Sequence, residues 1–194
     1  KNQFFQNKPY GIEIEVTALD QIPQKAFSIH YWLSPYGFSA KEVLKLLQAE
    51  KGKVLLSTSH RLIREQKTLV LSPLKKSRKA CSLINLKGDG EELPISLRWE
   101  SLSSFSMKEW KAHQAALDKK KLKLPLFLRK YEKGDYFYPT GMKGKKLLSK
   151  FFRDEKYTTQ EKESQWLLCS DKAIVWVIGK RCDQRFTADQ KSKE

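Results

Sequence analysis

Apolar and polar residues alternate along Gly11 to Val16 (GIEIEV), and a period of two predicts a half-buried strand near the start of the chain. Farther on the period lengthens. Ile22, Ala26, Ile29 and Leu33 recur at the spacing of one apolar helical face, with Asp20 placed as the N-cap and Pro35 and Gly37 as the stop. Ser39-Ala40-Lys41-Glu42 has the spacing of a capping box, so a second helix is expected from Ser39, burying Val43, Leu44 and Leu47 and ending at Gly52. His60 to Glu65 (HRLIRE) and Thr68 to Pro73 (TLVLSP) then flank a short polar turn at Gln66-Lys67, which predicts a β-hairpin packed on the two helices.

Pro73 to Gly90 carries a basic patch and ends in Gly-Asp-Gly, so a domain boundary is expected near its start. It divides residues 1–73 from 74–194, with a linker near 73–90. Beyond it the pattern predicts strands at Leu93–Trp99, Leu124–Lys130, Trp166–Cys169 and Ala173–Ile178. A helix is expected from about Lys145 to Arg153 and a helical turn at Thr159–Lys162. The expected fold is α+β: a small helical domain with a β-hairpin, followed by a strand-dominated mixed α/β C-terminal domain.

Composition narrows the function classes. With 40% hydrophobic and 11% aromatic residues the chain can build real cores, and a formal charge of +16 points to a polyanionic partner. No stretch approaches the roughly 18 apolar residues of a spanning helix, so nucleic acid is favoured over a membrane. Cys81, Cys169 and Cys182 are odd in number and far apart, which fits reduced thiols in a cytoplasm. His30, His60 and His113 are equally scattered, and no metal site is expected. The chain has no Gly-Gly pair and no G-x-x-x-x-G-K-[ST], G-x-S-x-G or H-E-x-x-H motif. Glu91-Glu92 and Asp154-Glu155 sit in charged, solvated stretches. The chain is therefore expected to catalyse nothing on its own, and its Lys-Asn-Gln start suggests a piece of something longer.

The basic signal is concentrated. Lys119 to Lys156 holds thirteen Lys/Arg against four acids, a local balance of +9. In the helix expected to start near Gly144, Leu147, Leu148, Phe151 and Phe152 share one face and leave Lys145, Lys146, Lys150 and Arg153 toward solvent. Two readings stand for Gly141 and Gly144: they let a phosphate approach a helix N-terminus, or they only turn a strand into a helix while the lysines keep the surface soluble. Tyr136, Phe137, Tyr138 and Phe186 are either stacking platforms for unpaired bases or core. Arg181 and Arg185 are either exposed contacts or salt-bridge partners of Asp183.

A longer pattern runs through these residues. Leu128-Arg129, Gly134-Asp135, Pro139, Gly141-Met142, Gly144-Lys145-Lys146, Phe151-Phe152, Lys156, Ile174-Val175-Trp176-Val177 with Gly179, and Arg181-x-Asp183-x-Arg185-Phe186 together resemble the C-terminal domain of the tRNA(Ile)-lysidine synthetase family. Phe27 to Pro73 is similar to that family's middle, substrate-recognition domain in its Bacteroides-like form. The family often has an acidic residue before the paired phenylalanines, where this chain has Lys150.

The resemblance implies an enzyme that ligates free lysine to the wobble cytidine of a CAU-anticodon isoleucine tRNA, after ATP adenylates the base. ATP, with Mg, would belong to an N-terminal catalytic domain whose Ser-Gly-Gly-x-Asp-Ser loop is missing here, so the chain itself is expected to hold no cofactor. It implies the tRNA-gripping half, which contacts the tRNA body and acceptor stem. The expected RNA contacts are Arg129, Lys143, Lys145, Lys146, Lys150, Arg153, Lys156, Arg181 and Arg185. The alternative is a basic protein-interaction or scaffold module that docks an acidic partner without catalysis.

Overall fold

The computed structural model describes residues 4–74, 81–84, 93–101 and 113–189, with only the backbone at 81–83. The chain divides into two compact units, residues 1–77 with 158–160, and 78–157 with 161–194. Among the described residues no helix is long and apolar enough to cross a membrane, and no three His, Cys, Asp or Glu side chains gather as metal ligands.

In the first unit the strands β1 (Phe5–Lys8), β2 (Gly11–Glu15), β3 (Val54–Leu56), β4 (His60–Arg64) and β5 (Thr68–Pro73) form one antiparallel sheet in the order β1-β2-β5-β4-β3. The predicted β4–β5 hairpin is present, with Ile63 opposite Val70. It is the middle of a larger sheet, because β2 returns to pair with β5, Ile12 opposite Leu71. The first helical region is broken where one helix was expected. α1 covers Val16–Asp20 and α2 covers Lys25–Leu33, so Asp20 closes a helix instead of capping one. Pro23 explains the break: the residue before a proline avoids the helical region, and Ile22 holds that position.

α3 (Ala40–Leu47) starts where expected. The Ser39 hydroxyl accepts from the Glu42 amide and the Glu42 carboxylate accepts from the Ser39 amide, a complete capping box. Its buried residues are Val43 and Leu46, with Leu44 and Leu47 half-buried beside them. α2 and α3 pack on the sheet through Ile29, Leu33, Val43, Leu62 and Leu71. Ser39→Ala is expected to cost about 1 kcal/mol, measured as a lower denaturation midpoint of this unit. Ser39 also draws the Glu42 carboxyl below its usual value, chiefly through the side-chain hydrogen bond. A depressed folded pKa means the cap contributes above the unfolded value and is lost as the pH falls through the folded one.

The second unit is built on a sheet of β6 (Cys81–Ile84), β7 (Leu126–Lys130), β10 (Trp166–Ser170), β11 (Ala173–Val177) and β12 (Arg181–Cys182), ordered β12-β11-β10-β7-β6. A separate ribbon pairs β8 (Tyr136–Phe137) with β9 (Lys146–Leu147). Two helices follow, α4 (Leu148–Asp154) and α5 (Thr159–Ser164), the first two residues of α5 being grouped with the first unit. Period-two alternation buries the sheet on both faces. Leu167, Cys169 and Ile174 join Phe137, Phe151 and Phe152 in one core, while Leu128, Leu168, Val175 and Trp176 form another.

Three expectations are corrected. The stretch expected as a linker contains β6, which pairs with β7, Ile84 opposite Leu126; its Gly-Asp-Gly turn lies outside the described residues. Leu93–Trp99 forms no strand, although Leu93, Ile95 and Leu97 still pack half-buried against the Trp176 core. Pro94 removes one ladder donor there. The helix expected from Lys145 starts at Leu148, because Lys146 and Leu147 are spent on the β8–β9 ribbon.

Candidate nucleic-acid interface

That ribbon decides how the basic segment is displayed. Tyr136 lies opposite Leu147 and Phe137 opposite Lys146, so the loop between them, 138–145, is closed at its base. Gly141 and Gly144 have φ of 79° and 80°, and a Cβ at either would meet nothing within 4 Å. Their positive φ makes them needed for backbone conformation, and no other group of the chain crowds them among the described residues. The helix start differs from the phosphate-cradle reading in two respects. Gly144 is not at the helix, and the Leu148 amide is already spent on the Asp135 carbonyl at 2.7 Å. Leu147, expected in the core, is 41% exposed; Leu148, Phe151 and Phe152 are buried as expected.

The nine expected contacts separate into committed and displayed cations. Arg129 is committed. Its guanidinium donates to both Asp135 carboxylate oxygens at 2.7 and 2.9 Å, and Asp135 also accepts from the Glu132 amide at 2.8 Å, closing the β7–β8 turn. The Asp135 hydrogen bond holds the Arg129 pKa above its usual value. Lys146 is also committed, 2.8 Å from the Asp154 carboxylate, whose pKa it lowers. Lys143, Lys145, Lys150 and Lys156 are exposed and make no ion pair among the described residues. Arg153 is exposed too, with only a long 3.8 Å approach to Asp154. Lys156 sits just past α4 with φ 58°.

Arg181 lies half-buried in β12 opposite Val177. Arg185 settles the question posed for it in favour of Asp183, which is fully buried. The Asp183 carboxylate accepts from the Arg185 Nε and Nη2 at 2.9 and 2.7 Å, from the Arg185 amide at 2.9 Å and from the Tyr138 amide at 2.9 Å. The side-chain hydrogen bond to Asp183 raises the Arg185 pKa above its usual value. The Arg185 side chain remains 41% exposed, and its guanidinium lies 4.2 Å from the Tyr138 ring centre.

Aromatic rings divide by the same alternation. Phe137 is fully buried, edge-on to Phe151 at 5.2 Å. Tyr136 is 45% exposed and Tyr138 half-buried, their rings 6.2 Å apart, with the Lys145 ammonium 5.2 Å from the Tyr136 ring. Lys145, Tyr136, Tyr138 and Arg185 thus run side by side, cation and ring, on one surface. Around its edge lie Lys123 and Lys172, which the sequence pattern did not single out. Lys123 was only one of a run, and Lys172 follows Asp171 in a tight turn that reads simply as a turn.

These two units match two family models: the TilS substrate binding domain over residues 7–74 and the TilS substrate C-terminal domain over residues 126–194. A tRNA(Ile)-lysidine synthase of Parabacteroides distasonis is 37% identical over 186 residues, covering 93% of this chain and 42% of its own length. One from Bacteroides thetaiotaomicron is 32% identical over 191 residues, with 95% and 42% covered. The crystal structure of a TILS C-terminal domain aligns at a TM-score of 0.43 and 17% identity, covering 75% of this chain and 86% of that one. The chain belongs to the tRNA(Ile)-lysidine synthase family and spans about two fifths of the length of these curated relatives.

Proposed function

We propose that the chain is the tRNA-holding portion of a tRNA(Ile)-lysidine synthase, an ATP-dependent ligase of the cytoplasm. The whole protein attaches lysine to the wobble cytidine of the CAU anticodon, using ATP and Mg in a catalytic domain this chain does not include. The chain grips the tRNA body and acceptor stem through phosphates and performs no chemistry itself. The observation that carries this is the display of Lys143, Lys145, Lys150, Arg153 and Lys156 around the β8–β9 ribbon and α4, on a module of this family. Duplex RNA is recognised by phosphate, 2′-hydroxyl and shape, which exposed lysines without a base-reading code suit.

Filter binding of the CAU-anticodon isoleucine tRNA over a salt series tests it. Each phosphate contact contributes roughly 0.7–0.9 to the slope of log affinity against log salt. Lys143→Ala/Lys145→Ala/Lys150→Ala is expected to flatten the slope by about two and to lower affinity at least tenfold at low salt. Lys146 is left intact because its charge is spent on Asp154. An unchanged slope in the triple variant removes the patch assignment. Equal binding of tRNA and an unrelated polyanion favours the acidic-partner module instead.

A further inference from the structure

Beside the aromatic and cationic surface lies a basin of about 320 Å³, enclosed by the β7–β8 turn, the β10–β11 turn, the lysine-rich segment before β7 and Arg185-Phe186. Tyr136 and Phe186 line it, with Arg185 between ring systems, 4.2 Å from Tyr138 and 5.4 Å from Phe186. Its cations have different states. Lys121 is tied to Asp118 and Asp189 at 3.5 and 3.4 Å, and Arg185 to Asp183. Lys123 and Lys172 have no ion-pair partner among the described residues. Of its two carboxylates, Asp135 is neutralised by Arg129, and Asp171 is exposed on the tight β10–β11 turn.

We propose that this basin takes one unpaired nucleotide at the end of an RNA duplex, a deepening that rests on the tRNA-holding reading above. The volume is at the low end of small-ligand sites, enough for one nucleotide and too small for a helix. The exposed Tyr136 ring supplies a face on which any base can stack. Lys123 and Lys172 supply mobile point charges for the phosphate. Asp171 supplies an acceptor for a base N–H. Buried Asp183 fixes the guanidinium and the Tyr138 backbone, so this wall is formed before the nucleotide arrives. A duplex lying on the displayed lysines would then end where the stacking surface begins, and the unpaired nucleotide is the part of an RNA whose base face is free to use it.

The test uses the whole 194-residue chain and two RNA hairpins, one blunt and one with a single unpaired terminal 2-aminopurine nucleotide. The expected result is quenching of the 2-aminopurine on binding and about tenfold tighter binding of the overhang RNA than of the blunt one. Tyr136→Ala should abolish the quenching and bring the overhang RNA down to the affinity that the same variant shows for the blunt hairpin, whereas Tyr136→Phe should preserve both effects. Tyr136 is exposed, so neither variant threatens the core. Equal affinity for both hairpins, or quenching that survives Tyr136→Ala, overturns the basin and leaves the phosphate grip standing. Adenosine monophosphate that binds as tightly as the overhang RNA assigns the basin to a free nucleotide and overturns the RNA-end assignment. Failure of both hairpins to bind at low salt overturns the basin and the tRNA reading together.

Discussion

Asp183→Ala should destabilise the second unit by about 3 kcal/mol, seen as a lower denaturant midpoint for that unit's transition. The carboxylate is fully buried and accepts from two backbone amides and two guanidinium nitrogens. Removing it leaves the Tyr138 and Arg185 amides without their acceptor inside a well-packed region, and an unsatisfied buried donor costs about 1–3 kcal/mol. The guanidinium adds less than a fully buried ion pair would, because Arg185 is 41% exposed and water screens it. Asp183→Asn should fall between, since one oxygen survives as an acceptor while the amide group points a donor at donors. A loss below about 1 kcal/mol for the alanine variant would mean that water replaces the carboxylate freely. RNA binding should weaken in parallel, because Arg185 and Tyr138 lose the group that positions them.

Phe152→Ala should cost more, about 4 kcal/mol, within the usual range for a truncated core aromatic. Phe152 is fully buried, edge-on to Tyr131 at 5.2 Å and tilted against Tyr157 at 4.7 Å. Burial also pushes the Tyr157 hydroxyl far above its usual pKa. α4 has only seven residues, too short to persist without its tertiary contacts. The cavity would therefore free the helix that carries Lys150 and Arg153. Phe152→Leu keeps most of the volume and should cost no more than about 1.5 kcal/mol. Thermal melts of the two variants give the comparison, and equal losses would show that the ring's shape matters more than the space it fills.

What could be seen in the sequence follows how local each signal is. The Ser39 box names its own partners within four residues, and α3 starts at Ala40 as expected. β10 and β11 are long apolar runs joined by a tight turn, and they fall within a residue of their expected ends. β8, β9 and β12 are two residues each, below any periodicity, and exist only because a distant partner pairs with them. The same distance effect governs the candidate site. The pairing of Arg185 with Asp183, two residues away, was one of the two readings open in the sequence, but the commitment of Arg129 to Asp135 depends on turn geometry that charge patterning does not carry. Lys146 looked like part of a helical basic face; pairing with Phe137 placed it in a strand and brought it to Asp154. The aromatic run was sorted only by the ribbon, which sends Phe137 inward.

That inward turn of Phe137 sets different rules for substitution and for length. Tyr136 and Tyr138 are displayed because the residue between them is anchored in the core, so either can be exchanged for another planar side chain at little cost. A single residue inserted or deleted between Asp135 and Pro139 would reverse the alternation, turning phenolic hydroxyls toward Phe151 and a bare phenyl ring toward water. Across homologous chains this short stretch should therefore drift in composition while its residue count stays fixed.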